Sequence, residues 1–288
     1  MTTAEAVLLA VVEGLTEFLP VSSTGHMILT EAVMKMQKSA FLNVYIVNIQ
    51  FGAILSVLVL YWRRFFQSLD FYLKLAVAFI PAAVLGFLLN DFIDSLLSSV
   101  LTVAMSLIIG GVILIWVDKF FSAQIQNVQD DDDLITIKEV NEFGVEERKE
   151  VLRKFKITWL EAFIIGCFQC IAMIPGVSRS AAAIIGGLTQ KLTIKRAAEF
   201  SFFLAVPTIS AAALYKLMKG FDVIRGTEIS YLLIGNVVSF IVGVIAIKFF
   251  IGLITRYGLS MFGYYRILLG AAILALYAMG HLHNVTLE

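Results

Sequence analysis

The chain has 288 residues, of which 59% are hydrophobic and only 15% charged, and its formal net charge is zero. A soluble domain carries about 25% charged residues, so this composition excludes a soluble protein and predicts an integral membrane protein. The balanced charge gives no indication of a nucleic-acid partner, and none is expected.

Six stretches are long and apolar enough to cross a bilayer as helices, which takes about 20 residues. They cover residues 41–61, 72–90, 98–117, 197–217, 229–250 and 262–280. The polar stretch 118–156, which contains four consecutive aspartates at 130–133, is expected to be a solvated cytoplasmic loop between two halves.

Two further apolar regions, 2–36 and 157–190, are each interrupted by a proline. The first interruption reads FLPVSST at residues 18–24 (the first tip), and the second reads MIPGVSRS at 173–180 (the second tip). Each half is too short to cross, so each region is expected to enter the membrane, turn and leave, with its backbone buried in protein. Three spans follow each region. The chain therefore reads as one membrane domain, 1–288, with a first repeat at 1–117 and a second at 157–288.

The loop charges predict how the two repeats are oriented. The loop after the first span holds two arginines and a lysine, whereas the next loop holds Asp91 and Asp94 and no basic residue. Most of the Lys and Arg then lie on the cytoplasmic side, and Arg266 is counted among them. Because three spans per half reverse the direction of the chain, the predicted fold is an all-α polytopic membrane protein. It has two inverted-topology repeats, with six transmembrane helices and two re-entrant helix pairs whose tips meet near the midplane.

Two carboxylates precede the first tip. Glu13 and Glu17 are four residues apart, so a helix places both on one face. Two buried like charges repel each other, and they persist only with a cation, a shared proton or a hydrogen-bond donor nearby. Ionisable residues inside a membrane are functional candidates.

The first tip resembles the start of a helix that binds an anion. A helix N-terminus offers free backbone N–H groups and a positive dipole, which suits a phosphate group. One hydroxyl here is expected to cap the helix, and the others are candidate phosphate ligands. These residues are Ser22, Ser23 and Thr24, followed by Gly25 and by His26, which shares a helix face with Ser23.

The second tip repeats this chemistry with a fixed positive charge. Ser178 and Ser180 supply hydroxyls, and Arg179 between them suits a carboxylate or a phosphate. An ion pair with one of the two glutamates is the alternative, and it too would bring the tips together. Gln50, in the first span, either lines the same cavity or makes a hydrogen bond between helices.

At these residues the sequence resembles the undecaprenyl-diphosphate phosphatase family of the bacitracin-resistance type. EGLTEFLPVSSTGH, residues 13–26, is similar to the family's first signature, and PGVSRS, residues 175–180, to its second. The resemblance covers nearly the whole chain, although Ala181 stands where many relatives have Gly. It implies a multi-pass enzyme of the bacterial plasma membrane that acts at the outer face. It also implies that the terminal phosphate is removed from a C55 polyprenyl diphosphate with the help of Mg²⁺ or Ca²⁺.

The resemblance also implies roles for individual residues. Glu13 and Glu17 would hold the cation, and Arg179 would stabilise charge on the transferred phosphoryl group. Ser23 is favoured as the nucleophile with His26 as its base, while Glu17 as the base, attack by His26 and attack by a metal-bound water stay open. The implied active site comprises Glu13, Glu17, Ser23, Thr24, His26, Ser178 and Arg179. A lipid flippase or transporter built on inverted repeats is the rival interpretation, and a homodimer is left open.

Overall fold

The computed structural model describes residues 1–37, 39–65, 69–89, 92–93, 96, 99–122, 125, 134–140, 146–152 and 157–282. Asp91, Asp94 and the aspartates at 130–133 lie outside the described residues. The helices, in chain order, are α1 Thr3–Thr16, α2 Ser23–Val33, α3 Ala40–Leu60, α4 Trp62–Phe65, α5 Leu69–Leu88, α6 Val100–Phe120, α7 Trp159–Cys170, α8 Arg179–Thr189, α9 Ile194–Lys219, α10 Thr227–Tyr257 and α11 Ser260–Ala278.

Six of these helices are long and apolar enough to span a membrane, counted over the described part of the chain: α3, α5, α6, α9, α10 and α11. Each coincides with one of the six predicted spans, so that prediction is confirmed. Many of their large apolar side chains are exposed, which suits a lipid environment.

The stretch 118–156 contains regular structure that the sequence analysis did not predict. Strand β1, Leu134–Val140, pairs antiparallel with strand β2, Glu146–Leu152, with Leu134 opposite Leu152. The expectation of a plain loop is therefore corrected to a loop that carries a β-hairpin. The many charged residues of this stretch outweighed the short β-branched run Ile135, Thr136 and Ile137, which is typical of a strand.

Both proline-broken regions fold as a pair of short helices. α1 has 14 residues and α2 has 11, while α7 has 12 and α8 has 11. At 1.5 Å per residue the longest reaches about 21 Å, short of the ~30 Å hydrocarbon core. A 3₁₀ turn, Ile171–Met173, joins α7 to the second tip. These lengths are compatible with re-entrant pairs.

The two halves begin with the same capping arrangement. Thr2 caps α1 and Glu5 returns a hydrogen bond to the cap, while Thr158 and Glu161 do the same for α7. The shift from Thr2 to Thr158 is 156 residues, and the shift from Glu5 to Glu161 is equal. This reciprocal arrangement satisfies two otherwise unpaired N–H groups at each helix start.

The same shift relates four residues with unusual backbone angles. Ser22 and Ser178 precede α2 and α8 with φ angles of 70° and 73°, and Lys35 and Lys191 follow these helices at 51° and 61°. In the described chain no other non-glycine residue has a positive φ. Because this conformation costs free energy for a residue with a Cβ atom, its recurrence at matched positions indicates a true structural repeat.

Helix packing follows the repeat as well. α1 packs on α10 as α7 packs on α5, and α3 packs on α10 as α9 packs on α5. α3 also packs on its counterpart α9, and α6 on its counterpart α11. Exchanging the two halves therefore reproduces these contacts, which is the packing expected around a pseudo-two-fold axis.

α6 and α11 approach closely because each has a glycine at the contact. A Cβ atom added to Gly111 would lie 2.6 Å from the Gly263 oxygen, and one added to Gly263 would lie 2.6 Å from the Gly111 oxygen. Small residues allow this approach where packing, rather than water exclusion, holds helices together.

We expect Gly111→Leu to push α6 from α11 and lower the melting temperature in detergent, since overpacking costs about 1–3 kcal/mol. Gly252→Leu in α10 is the matched control, because an added Cβ meets nothing within 4 Å there. Thermal unfolding of the two purified variants checks the expectation, and equal melting temperatures would contradict it.

Candidate active site

The two tips are in direct contact. The Ser180 hydroxyl of the second tip donates a hydrogen bond of 2.8 Å to the carbonyl oxygen of Leu19 in the first tip. Beside it, the Arg179 guanidinium lies 3.4 Å from the Glu17 carboxylate. The prediction that the tips meet is therefore confirmed.

A buried arginine from the last helix holds the tips in place. Arg266 has no exposed surface, and its guanidinium donates to Pro20 O at 3.3 Å in the first tip. It also donates to Gly176 O at 2.9 Å and Val177 O at 2.8 Å in the second tip. A fourth hydrogen bond, 3.2 Å long, reaches Ser106 O in α6. Backbone carbonyls released from helices need such partners away from water.

The sequence analysis placed Arg266 wrongly among the charges of the cytoplasmic side. It lies within α11, inside the span predicted at 262–280, and its chain position already carried the signal. A charge six residues into an otherwise apolar span has to find partners within the protein. Counting loop charges concealed the buried position of Arg266, because all basic residues near that end of the span were assigned together to the cytoplasmic side.

The acidic pair lies at the end of α1, beside the first tip. Glu13 is completely buried, and neither of its carboxylate oxygens has a hydrogen-bond partner among the described residues. Its nearest charges are Glu17, which repels it, and Arg179, which attracts it. Glu17 is 9% exposed and better matched: one oxygen accepts from the Ser23 hydroxyl at 2.9 Å, and the other faces Arg179.

Arg179 is shared between two partners from different helices. Its Nη1 donates to the backbone oxygen of Ser201 in α9 at 2.8 Å, and a longer contact of 3.4 Å reaches the Ser201 hydroxyl. Its Nε has no partner in the described structure. The ion pair with Glu17, left open by the sequence, is thus formed, but it is long and leaves part of the guanidinium available to a ligand.

His26 is held away from Ser23. Its Nδ1 lies 2.8 Å from the Ser22 carbonyl oxygen, and its Nε2 lies 2.7 Å from the hydroxyl of Tyr265 in α11. The expected pairing of Ser23 with His26 is therefore not the contact that forms. Because the imidazole bonds back to the preceding turn, the Ser23 hydroxyl is left to Glu17. Sequence reasoning missed Tyr265, since no local motif links residues so far apart.

The serines that precede α2 and α8 make different hydrogen bonds. Ser178 caps α8 by accepting from the Ala181 N–H at 3.3 Å, and its hydroxyl also lies 3.0 Å from that of Ser180. Ser22 makes no side-chain cap for α2 and contributes its carbonyl to His26 instead. The matched backbone angles thus serve a helix cap in one half and an imidazole contact in the other.

The remaining candidates lie around this centre with weaker links to it. Thr24 is half-buried, and Gly25 packs so closely on α6 that an added Cβ would lie 2.8 Å from a leucine methyl group. Gln50 is half-buried in α3, and no described hydrogen bond joins its side chain to the other candidates. Its neighbour Asn48 accepts a hydrogen bond of 2.6 Å from Asn236 in α10, which is the helix–helix role considered for this pair.

Comparison with known proteins agrees with this geometry. The sequence model of a family described as "Bacitracin resistance protein BacA" matches residues 6–272. The chain belongs to this family. The match bears out the resemblance carried by the two tip motifs.

Relatives match over nearly their whole length. A protein of Bdellovibrio bacteriovorus named undecaprenyl-diphosphatase is 51% identical over 281 residues, covering 98% of both chains. Proteins of the same name match from Flavobacterium johnsoniae, 50% identical over 98% of each chain, and from Aquifex aeolicus, 41% identical over 94% of this chain and 96% of the relative.

We expect Arg266→Lys to weaken both stability and activity. One ammonium cannot replace a planar fork that serves four carbonyls, and each buried polar group left unpaired costs about 1–3 kcal/mol. The melting temperature in detergent should fall by roughly 5 °C or more. Arg256→Lys is the control, because Arg256 is exposed in the last turn of α10. A variant as stable as the Arg256 control would contradict the role of Arg266.

Proposed function

We propose that this protein is an undecaprenyl-diphosphatase. It hydrolyses undecaprenyl diphosphate to the monophosphate and inorganic phosphate. This reaction recycles the carrier lipid for cell-wall synthesis and gives resistance to bacitracin. The full-length similarity to proteins of that name supports the proposal. The observation that carries it is the gathering of Glu17, Ser23 and Arg179, from two distant parts of the chain, into one buried cluster.

The substrate explains why a membrane protein keeps such a cluster. A polyprenyl diphosphate has an apolar tail that stays in lipid and a charged head that needs polar partners. Arg179 suits that head, because its planar fork donates two parallel hydrogen bonds to phosphate oxygens. The start of α2 adds unpaired N–H groups and a positive dipole. Apolar helices around the cluster would exclude bulk water and strengthen these interactions.

The chemistry begins at Ser23. Its oxygen attacks the terminal phosphorus while its proton passes to Glu17, which already accepts that hydrogen bond at 2.9 Å. The bond between this phosphorus and the bridging oxygen breaks, and the lipid monophosphate leaves. Water then attacks the phosphoserine, releasing phosphate and restoring the hydroxyl. The contacts of His26 support this order, because both ring nitrogens are engaged away from Ser23.

Arg179 changes partner during this sequence. Its long contact with Glu17 is replaced by contacts to the phosphoryl oxygens, which carry the charge of the transition state. Release of Glu17 from Arg179 also leaves that carboxylate free to take the Ser23 proton. Substrate binding thus prepares the base that the attack requires.

A divalent cation fits the acidic pair. Glu13 presents two buried oxygens without partners, and carboxylate oxygens are the ligands that Mg²⁺ and Ca²⁺ prefer. No group of three or more His, Cys, Asp or Glu side chains is clustered for a metal within the described residues. Mg²⁺ is commonly bound by only one or two carboxylates, with substrate phosphates as further ligands. Glu13, with Glu17 beside it, would hold the ion, which would screen the charge of the diphosphate.

We place the reaction at the outer face of the bacterial plasma membrane. The loop charges support this orientation, since the loop between α3 and α5 carries the basic residues and the α1–α2 pair then opens to the other side. The cytoplasmic loop 118–156 would lie opposite the entrance of the substrate.

Phosphate release from a polyprenyl diphosphate in detergent distinguishes hydrolysis from lipid transport, which has no readout without a bilayer. We expect the wild-type protein to release phosphate and Ser23→Ala to lose activity by at least a hundredfold. Ser56→Ala is the control, because the Ser56 hydroxyl bonds only within its own helix. Wild-type protein that binds the lipid without releasing phosphate would favour the flippase. High residual activity in Ser23→Ala would exclude the serine route.

Removal of divalent cations should abolish activity, and added Mg²⁺ or Ca²⁺ should restore it. Glu13→Gln should raise the metal concentration needed for half-maximal activity at least tenfold, because it removes the charge that holds the ion. Glu5→Gln is the control, since glutamine also completes a capping box. Full activity in excess chelator would contradict a metal at this site.

A further inference from the structure

His26 is fixed at both edges of its ring, by one partner in the first tip and by a second partner outside both tips. Ser22 holds one nitrogen and Tyr265, on α11, holds the other. We propose that Tyr265 is a positioning residue that holds the His26 imidazole in its Nδ1–H form, with the Nε2 lone pair on the tyrosine hydroxyl. The effect on turnover rests on the proposed function, whereas the effect on the imidazole does not.

The first contact decides where the proton lies. A carbonyl oxygen can only accept a hydrogen bond, so Nδ1, 2.8 Å from Ser22 O, has to carry a hydrogen. In the neutral imidazole Nε2 is then the unprotonated nitrogen. It accepts a hydrogen bond from the Tyr265 hydroxyl, 2.7 Å away.

The second contact also fixes the orientation of the ring. The His26 and Tyr265 rings are almost parallel, with an angle of 8° between their planes and 5.5 Å between their centres. Hydrogen bonds at opposite edges of the imidazole prevent it from flipping. Tyr265 is adjacent in sequence to Arg266, which donates hydrogen bonds to both tips, so it lies in a part of α11 that is fixed against them.

The Ser22 carbonyl and the Tyr265 hydroxyl together form a clamp on the His26 ring, and the Ser22 half depends on the backbone conformation. Ser22 has a φ of 70°, and it directs its carbonyl oxygen to the imidazole instead of capping α2 with its side chain. Ser178 has the same conformation in the second repeat, but Ala182 occupies the place that corresponds to His26. The clamp therefore belongs to the first tip alone, where Ser23 and the acidic pair also lie.

This arrangement gives Tyr265 control over His26. Since Nδ1 is committed to a carbonyl, His26 can gain or lose a proton only at Nε2, where the tyrosine hydroxyl already lies. Any contact of Nε2 with substrate, water or phosphate requires that hydroxyl to rotate or withdraw. Positioning of this kind resembles the carboxylate that fixes the histidine tautomer in hydrolytic triads, with a carbonyl and a phenol in its place.

Nitrogen NMR tests the proposal directly. The chain has two other histidines, His281 and His283, and replacing both with Gln in the full-length protein leaves His26 as the single labelled imidazole. At a pH where the ring is neutral, we expect a protonated Nδ1 and an unprotonated, hydrogen-bonded Nε2. An Nε2–H tautomer in this unaltered site would overturn the proposal without any further variant.

Tyr265→Phe keeps the stacked ring and removes only the hydroxyl. We expect the Nε2 resonance to move toward that of a free lone pair, or the second tautomer to appear. Turnover should fall about tenfold with KM changed less than twofold, because a freely rotating imidazole would no longer hold the start of α2, which carries Ser23, in one arrangement. Tyr264→Phe is the matched control, because Tyr264 is the adjacent, more exposed tyrosine.

The His26 spectrum and the turnover test different parts of the proposal. An unchanged His26 spectrum in Tyr265→Phe would overturn the positioning role, whatever the activity. A changed spectrum would support the positioning role, and unchanged turnover beside it would overturn only the expected effect on the reaction. Absence of phosphate release in the unaltered protein would contradict the proposed function, while the spectrum would still decide whether Tyr265 holds the imidazole.

Discussion

The structure depends on how backbone carbonyls are satisfied where two membrane helices are broken. Each break releases polar groups inside the protein, away from water, and an unpaired group there costs several kcal/mol. Arg266 meets this demand for both breaks at once, because one guanidinium from α11 reaches Pro20, Gly176 and Val177. The tips are therefore held by a common partner, and the active-site side chains that follow them inherit fixed positions.

The two repeats share a backbone arrangement, but they differ in the side chains that form the candidate site. With the shift of 156 residues that relates the caps, Glu13 corresponds to Gln169 and Ser23 to Arg179. Both Glu13 and Gln169 are buried with an unpaired side-chain oxygen, so the position is a polar one in each half. One half has kept the carboxylate and a hydroxyl, and the other has gained a cation. A symmetric pair of carboxylate sites would repel an anionic substrate, whereas this division attracts it.

The sequence predicted those features of the fold that short-range residue patterns encode. Hydropathy located the six spans and proline located both breaks, while the inverted orientation expected from counting spans is compatible with the observed packing. The contacts made by Arg266 and Tyr265 stayed out of reach, because they join residues more than 80 positions apart and leave no periodic trace. The sequence left His26 and Glu17 open as the base for Ser23, since helical spacing places His26 on the right face but cannot give its ring orientation. The high density of charged residues masked the hairpin in the polar loop.

Glu13 shows the balance between stability and function in this site. A buried carboxylate without a hydrogen-bond partner opposes folding, and among the described residues Arg179 offsets this cost only in part. On the proposed function, a bound cation or a proton shared with Glu17 would relieve this cost. A ligand that binds only the folded state raises its stability in proportion to its occupancy. If Glu13 holds an ion as proposed, the carboxylate that opposes folding would make ion and substrate binding a source of rigidity for the two tips.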